Sequence, residues 1–208
     1  MSPLVRAPRA IGYSRRVSES IPQGQGSVPR PFNIPDDLHP DNVPLAFLLG
    51  RWEGHGKGDY PTIEPFDFGQ EVVFSHNGKP FLYYTSRTWL LDEKGNAIKP
   101  LGMETGFWRP QPDRGVELVL AHPTGVAEIW YGQVDGAKIE LTTDLVARTV
   151  SAKEYTAGHR LYGLVEGDLL WTFDMAAMGQ DLQSHLWARL RRASMPASPG
   201  HSNDNSDD

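Results

Sequence analysis

The chain has 208 residues, a formal net charge of −6 and no cysteine. The acidic balance gives no electrostatic basis for binding nucleic acid, and the missing thiols exclude disulfides, Cys-ligated zinc and iron–sulfur clusters while fitting a reducing cytoplasm. No stretch approaches the ~18 consecutive apolar residues of a membrane-spanning helix.

Residues 1–42 carry Pro3, Pro8, Pro22, Pro29, Pro31, Pro35 and Pro40, with Gly24, Gly26 and several serines, and no periodic apolar run. Such a segment buries too little apolar surface to offset the cost of ordering its backbone, so a disordered N-terminal extension is expected. Arg6, Arg9, Arg15 and Arg16 precede the first acid, Glu19, but no apolar core of signal-peptide length follows them. The folded part is expected over 43–192, a single domain of ordinary size. Residues 193–208, "ASMPASPGHSNDNSDD", read as a disordered acidic tail.

The domain opens on Pro44–Leu49, "PLAFLL", which reads as a short helix with Pro44 in its first position. "LLGRWEGHGKGDYPTIEPF" (48–66) follows, containing the pattern GxWxGxG at Gly50, Trp52, Gly54 and Gly56. Glycines at alternate positions clear one strand face for a closely approaching backbone or ligand, and Trp52 on that face can plug one end of a barrel. Strand signals then alternate with turns: 66–76 to Asn77-Gly78, 81–91 to Asp92–Asn96, 102–110, 116–122, 126–134 to Asp135-Gly136, 138–144, 151–165 to Glu166-Gly167, and 169–177.

About ten strands in sequential hairpins predict an all-β fold, an antiparallel up-and-down barrel, because closure removes every exposed edge. Trp89, Trp108, Trp130 and Trp171 are expected mainly as packing, some as wall for a flat ligand. Pattern alone leaves the last segment, "LQSHLWARL" (182–190), open between helix and strand. As a strand it would send His185 and Leu186 to opposite faces. His185, among leucines and a tryptophan, is on the same evidence either a hydrogen-bonded core residue or a metal ligand. His55 and His76 read as exposed polar residues and His122 as a turn residue.

The longer pattern carries a resemblance. GxWxGxG with Tyr60-Pro61-Thr62-Ile63, then "EVVFSHNGKPFLYYT", "ETGFWRP", "VELVLAHPTGVAEI", "AKE" and "LQSHLWARL" resembles the nitrobindin family from Leu45 to Arg191. The resemblance implies a ten-stranded barrel of the lipocalin and fatty-acid-binding-protein type, holding one heme b per chain. It implies His185 as the sole protein ligand to iron and the catalytic residue, and Thr62 and Lys153 as further heme contacts. The bland readings of those two are a turn-stabilising hydroxyl and a solvated strand residue. The implied activity is isomerisation of peroxynitrite to nitrate at ferric iron, with nitric oxide binding and homodimers. One departure stands out: Gly102 occupies the place where many relatives carry histidine before x-Glu-Ser/Thr-Gly. The open side of the heme is then expected to be apolar, with Leu101, Met103, Phe107 and Val119 as candidates for its wall. Two rival functions remain at this stage, a carrier of a fatty acid or other apolar cargo and a nitric oxide carrier or sensor.

Overall fold

A computed structural model describes residues 33–193. Residues 1–32 and 194–208, where most of the extension and the acidic tail fall, lie outside the described residues. Ten strands form: β1 (Gly50–Tyr60), β2 (Ile63–Ser75), β3 (Leu82–Leu91), β4 (Ala97–Pro110), β5 (Gly115–His122), β6 (Val126–Asp135), β7 (Lys138–Arg148), β8 (Tyr155–Val165), β9 (Asp168–Ala177) and β10 (Gln183–Ala193). Each pairs antiparallel with its chain neighbours, and β1 pairs with β10 to close the barrel. The ambiguous segment 182–190 is therefore the closing strand.

Several boundaries differ from expectation. The ordered part begins before Val43: Leu38 and Asn42 are buried, and a 3₁₀ helix runs Pro40–Leu48. Pro40, not Pro44, takes its first position, and His39 Nδ1 accepts the Asp41 N–H at 3.2 Å. Asn42 ties the helix down by donating to the carbonyl of Lys79 at 2.8 Å. β4 starts at Ala97 rather than 102; its Pro100 is accommodated where the register with β3 shifts, so the missing N–H interrupts no ladder. β7 runs on to Arg148, and β8 starts only at Tyr155.

Leu45, Leu48 and Trp52 are fully buried and seal one end of the barrel, with Trp52 Nε1 donating to the Leu48 carbonyl at 2.6 Å. Beyond Trp52 the glycines bring β10 close. A Cβ on Gly54 would lie 2.1 Å from the Arg189 carbonyl oxygen, and one on Gly56 2.1 Å from that of Trp187. The GxWxGxG segment thus plugs one end and draws in the strand that carries His185.

The other end is open. β7 and β8 pair only from Lys138–Thr142 against His159–Gly163. Past that point they part, and the Thr143 hydroxyl bridges the split by accepting the Gly158 N–H at 2.9 Å. Here the barrel wall gives way to the 149–154 segment.

Candidate functional site

At the open end lies a cavity of about 620 Å³, within the roughly 300–1,000 Å³ usual for small-molecule sites. Tyr60, Thr62 and Ile63 line it from the β1–β2 corner, Ser151, Lys153 and Glu154 from the segment before β8, and His185 from β10. Phe173, Met175 and Ala177 of β9 and Val126 of β6 supply apolar wall. The chain thus brings Thr62, Lys153 and His185, far apart in sequence, around one space. Gly50, Trp52, Gly54 and Gly56 do not line it.

His185 reaches the cavity through a local irregularity. β10 pairs Ser184 with Asp174 and Leu186 with Phe173, so His185 is an extra residue in a β-bulge. On the other side of β1 the register with β2 shifts beside Asp59: Gly58 pairs with Phe66 and Tyr60 with Ile63, so Glu64 and Pro65 of β2 stand against Asp59 alone. Bulges re-aim side chains and recur at barrel rims. In this case the strand alternation that would have sent His185 away from Leu186 is broken. The ring instead packs inward, 5.2 Å from Tyr60 and 5.9 Å from Phe173 between centroids. Its Nδ1 lies 3.1 Å from the Asp59 carbonyl oxygen across the barrel seam. A carbonyl only accepts, so Nδ1 carries the proton and the Nε2 lone pair is left for a ligand. Burial pushes His185 below the usual histidine range, with the Asp59 carbonyl opposing only in part. The imidazole is therefore neutral at pH 7, the form that binds a metal. Tyr60 is itself fixed, its hydroxyl accepting the Ala177 N–H at 2.9 Å.

The inner wall holds a charged cluster that the sequence reading did not find. Arg160 of β8 is 4% exposed and donates to both carboxylate oxygens of Glu104, at 2.9 and 2.8 Å. Its guanidinium stands 4.9 Å from the Trp130 ring and 4.8 Å from that of Phe173. Glu128 Oε2 lies 2.8 Å from His122 Nε2 and 3.9 Å from Arg160. Tyr84 donates to Glu104. Burial raises the Glu104 carboxyl, but the charge and hydrogen bonds of Arg160, with His122 and Tyr84, outweigh it and hold the group at about 2. Glu128 is likewise raised by burial and more strongly lowered by His122 and Arg160. Glu104, His122 and Glu128 are close enough together to hold a metal ion, but the guanidinium already supplies the cation they face.

A signal for this cluster existed. Glu104 alternates with Gly106 and Trp108, Glu128 with Trp130, and Arg160 with Tyr162, so each charge falls on the inward parity of its strand. Two acids and one base on three apolar faces must meet inside. His122 is not a turn residue: it ends β5 pointing inward, its side chain 19% exposed. His76 is not exposed either, its side chain being 12% exposed, whereas His55 is exposed as expected. The expected apolar wall of Leu101, Met103, Phe107 and Val119 is also corrected. None of the four lines the cavity. Leu101, Met103 and Phe107 are exposed, and Phe107 pairs with Val119 on the outer face, because β4 turns its even-numbered residues inward.

The model of the THAP4-like, heme-binding β-barrel domain matches residues 41–192. A protein from Nocardioides sp. called peroxynitrite isomerase is 60% identical over 162 residues, which cover 78% of this chain and 99% of that protein. A ferric nitrobindin-like protein from Cutibacterium acnes is 53% identical over 165 residues, again 78% and 99%. Among solved structures, that of Rv2717c from M. tuberculosis superposes with a TM-score of 0.69 at 44% identity, covering 76% of this chain and 99% of that one. These relatives bear out the resemblance to nitrobindins. The chain belongs to the THAP4-like heme-binding β-barrel domain family.

Proposed function

We propose that this protein binds one heme b in the open-end cavity, with His185 Nε2 as the protein ligand to iron, and isomerises peroxynitrite to nitrate. The observation that carries the reading is the bulge at His185. It turns His185 into a cavity of about 620 Å³ with Nδ1 tied to the Asp59 carbonyl and Nε2 available. The remaining lining fits the cofactor: Phe173, Met175 and Val126 offer apolar wall to a macrocycle, and Lys153 offers an ammonium to its carboxylates. The carbonyl of Lys153 accepts from Arg148 at 3.1 Å, which steadies that segment. The name of the Nocardioides relative supports peroxynitrite as substrate. Bound heme would supply a ferric iron, Lewis acid and redox partner, for breaking and re-forming bonds to the peroxidic oxygens. The chain's own part is to hold that group through a neutral imidazole, keep Thr62 and Lys153 at its rim, and exclude water with the apolar wall. No general acid is needed to turn the peroxynitrite anion into nitrate, so Gly102 in place of a histidine is compatible with this chemistry. Nitric oxide is a second ligand suited to the same iron.

The outer face of the barrel favours a second copy of this chain as partner. Tyr83, Phe107, Val119, Ile129 and Leu145 form one continuous apolar row across five paired strands. Sedimentation should give a dimer that Phe107→Lys weakens. The absence of cysteine supports a reducing cytoplasm as the place of action; among the described residues no helix is long and apolar enough to cross a membrane.

The decisive experiment loads wild type and His185→Ala with hemin. Wild type should give a ferric heme band and accelerate peroxynitrite decay to nitrate, whereas the variant should bind hemin weakly and lose the acceleration. Equal rates in the two loaded proteins would refute the assignment. A wild type that takes no hemin but binds a fatty acid would make the barrel a carrier.

A further inference from the structure

His122 borders two spaces. Its ring lines the large cavity beside Glu128, and it also lines a shallower cleft of about 400 Å³ at the rim, walled by Gly125, Ala127, Ala147, Arg148 and Thr149. Among the described residues only neighbouring Val126 also lines both. One ring nitrogen is committed: Nε2 sits 2.8 Å from Glu128 Oε2, an atom on a side chain 1% exposed. The other is not, for Nδ1 lies 3.9 Å from Glu104 Oε2, beyond hydrogen-bond reach. A buried carboxylate that holds one nitrogen of an imidazole fixes its tautomer and leaves the lone pair of the other nitrogen to accept. Glu104 from β4 and Glu128 from β6 stand beside this ring, and the other charged or titratable groups of β7, β8 and the segment before β8 that line the two spaces are Arg148, Lys153, Glu154, Tyr155 and Arg160. An imidazolium there would stand between two carboxylates.

We propose that His122 is a proton shuttle between the cavity and the outside, with Glu128 as its positioning residue. The proposal rests on the function inferred above. When the substrate enters as its acid form, HOONO, conversion to nitrate leaves one proton to be disposed of. His122 Nδ1 takes that proton: the O–H bond breaks with its electron pair staying on oxygen, and an N–H bond forms. The imidazolium then gives the proton to water in the rim cleft and returns to its starting tautomer. Nothing is oxidised or reduced in the transfer, and the anion left behind is the species that rearranges.

Two measurements on the full chain test this. Stopped-flow pH profiles of heme-loaded wild type, His122→Gln and Glu128→Gln give the first. Wild type should keep its rate constant as the pH falls into the range where the substrate is protonated. His122→Gln should lose about 100-fold there and far less on the alkaline side, with Glu128→Gln intermediate. Parallel profiles for wild type and His122→Gln would overturn the shuttle, whereas an inactive wild type would overturn the function on which it rests. The second is ring-nitrogen NMR of protein loaded with diamagnetic zinc protoporphyrin. His122 should be the Nε2–H tautomer in wild type and a mixture in Glu128→Gln. An Nδ1–H tautomer, or one that ignores the Glu128 change, would also overturn the proposal.

Discussion

Replacing Arg160 by methionine removes the guanidinium that pairs with Glu104 and stands beside Glu128, and keeps most of the side-chain volume. Breaking a buried ion pair from one side costs about 3–5 kcal/mol, because the surviving charge stays buried without a partner. The structure gives a second route to the magnitude. Glu104 is held at about 2 against an ordinary 4.5, and at ~1.36 kcal/mol per pH unit that gap is worth about 3 kcal/mol. A carboxyl lowered in the folded state stabilises above its unfolded value, so this contribution is full above pH 4.5 and is lost as the pH falls towards 2. Arg160→Met should therefore lose about 3 kcal/mol at pH 7. It should lose less near pH 4.5, where its orphaned carboxyls take up protons. Urea unfolding followed by tryptophan fluorescence at both pH values reads this directly, since Trp130 lies under the guanidinium. Glu104→Gln/Arg160→Met, which removes both partners, should recover part of the loss. A loss below about 1 kcal/mol at pH 7, or the same loss at both pH values, would refute the reasoning.

Gly56→Ala places a methyl group against the Trp187 carbonyl and the Phe68 ring. It should cost about 1–3 kcal/mol in urea unfolding and weaken hemin binding as well, because the displaced strand is the one bearing His185. Tyr60→Phe leaves the buried Ala177 N–H without its acceptor and should cost about 1–3 kcal/mol. Its hemin affinity should fall with it, since the Tyr60 ring packs on His185; unchanged affinity would show that Tyr60 does not position the imidazole.

The barrel was legible because its evidence is local. Asn77-Gly78, Glu166-Gly167 and the alternation in 116–122 and 126–134 each report on a few residues, and an unbroken run of hairpins leaves little choice of closed topology. The Glu166-Gly167 turn bears this out, with φ of 53° and 87°, the pair of left-handed residues that a two-residue hairpin requires. The charged cluster was legible in principle but needed parity carried across three strands, and His122 was missed because a following Pro-Thr-Gly looks like a turn.

The orientation of His185 belongs to a different class. A strand pattern fixes which face a residue takes only while the count of residues per pair stays regular, and a bulge changes that count by one. The bulge at His185 and the register shift beside Asp59 lie on strands paired at the seam, and the two residues, 126 apart in sequence, meet through a single imidazole-to-carbonyl bond. Pro65 marks the irregularity on β2, but nothing in residue type signals the bulge at His185, since Ser184-His185-Leu186 is an ordinary strand sequence. β1, thinned by its glycines, lets β10 approach in a regular ladder from Arg51 opposite Ala193 to Gly58 opposite Leu186, and the irregularities fall on the ladders to either side, β9–β10 at His185 and β1–β2 at Glu64-Pro65. On this account the GxWxGxG segment and the histidine form one device, although only the histidine reaches the cavity. Inserting one residue between Leu186 and Gly54's partner Leu190 should then move the bulge or abolish it, and a protein that folds but no longer takes up hemin would be the consequence.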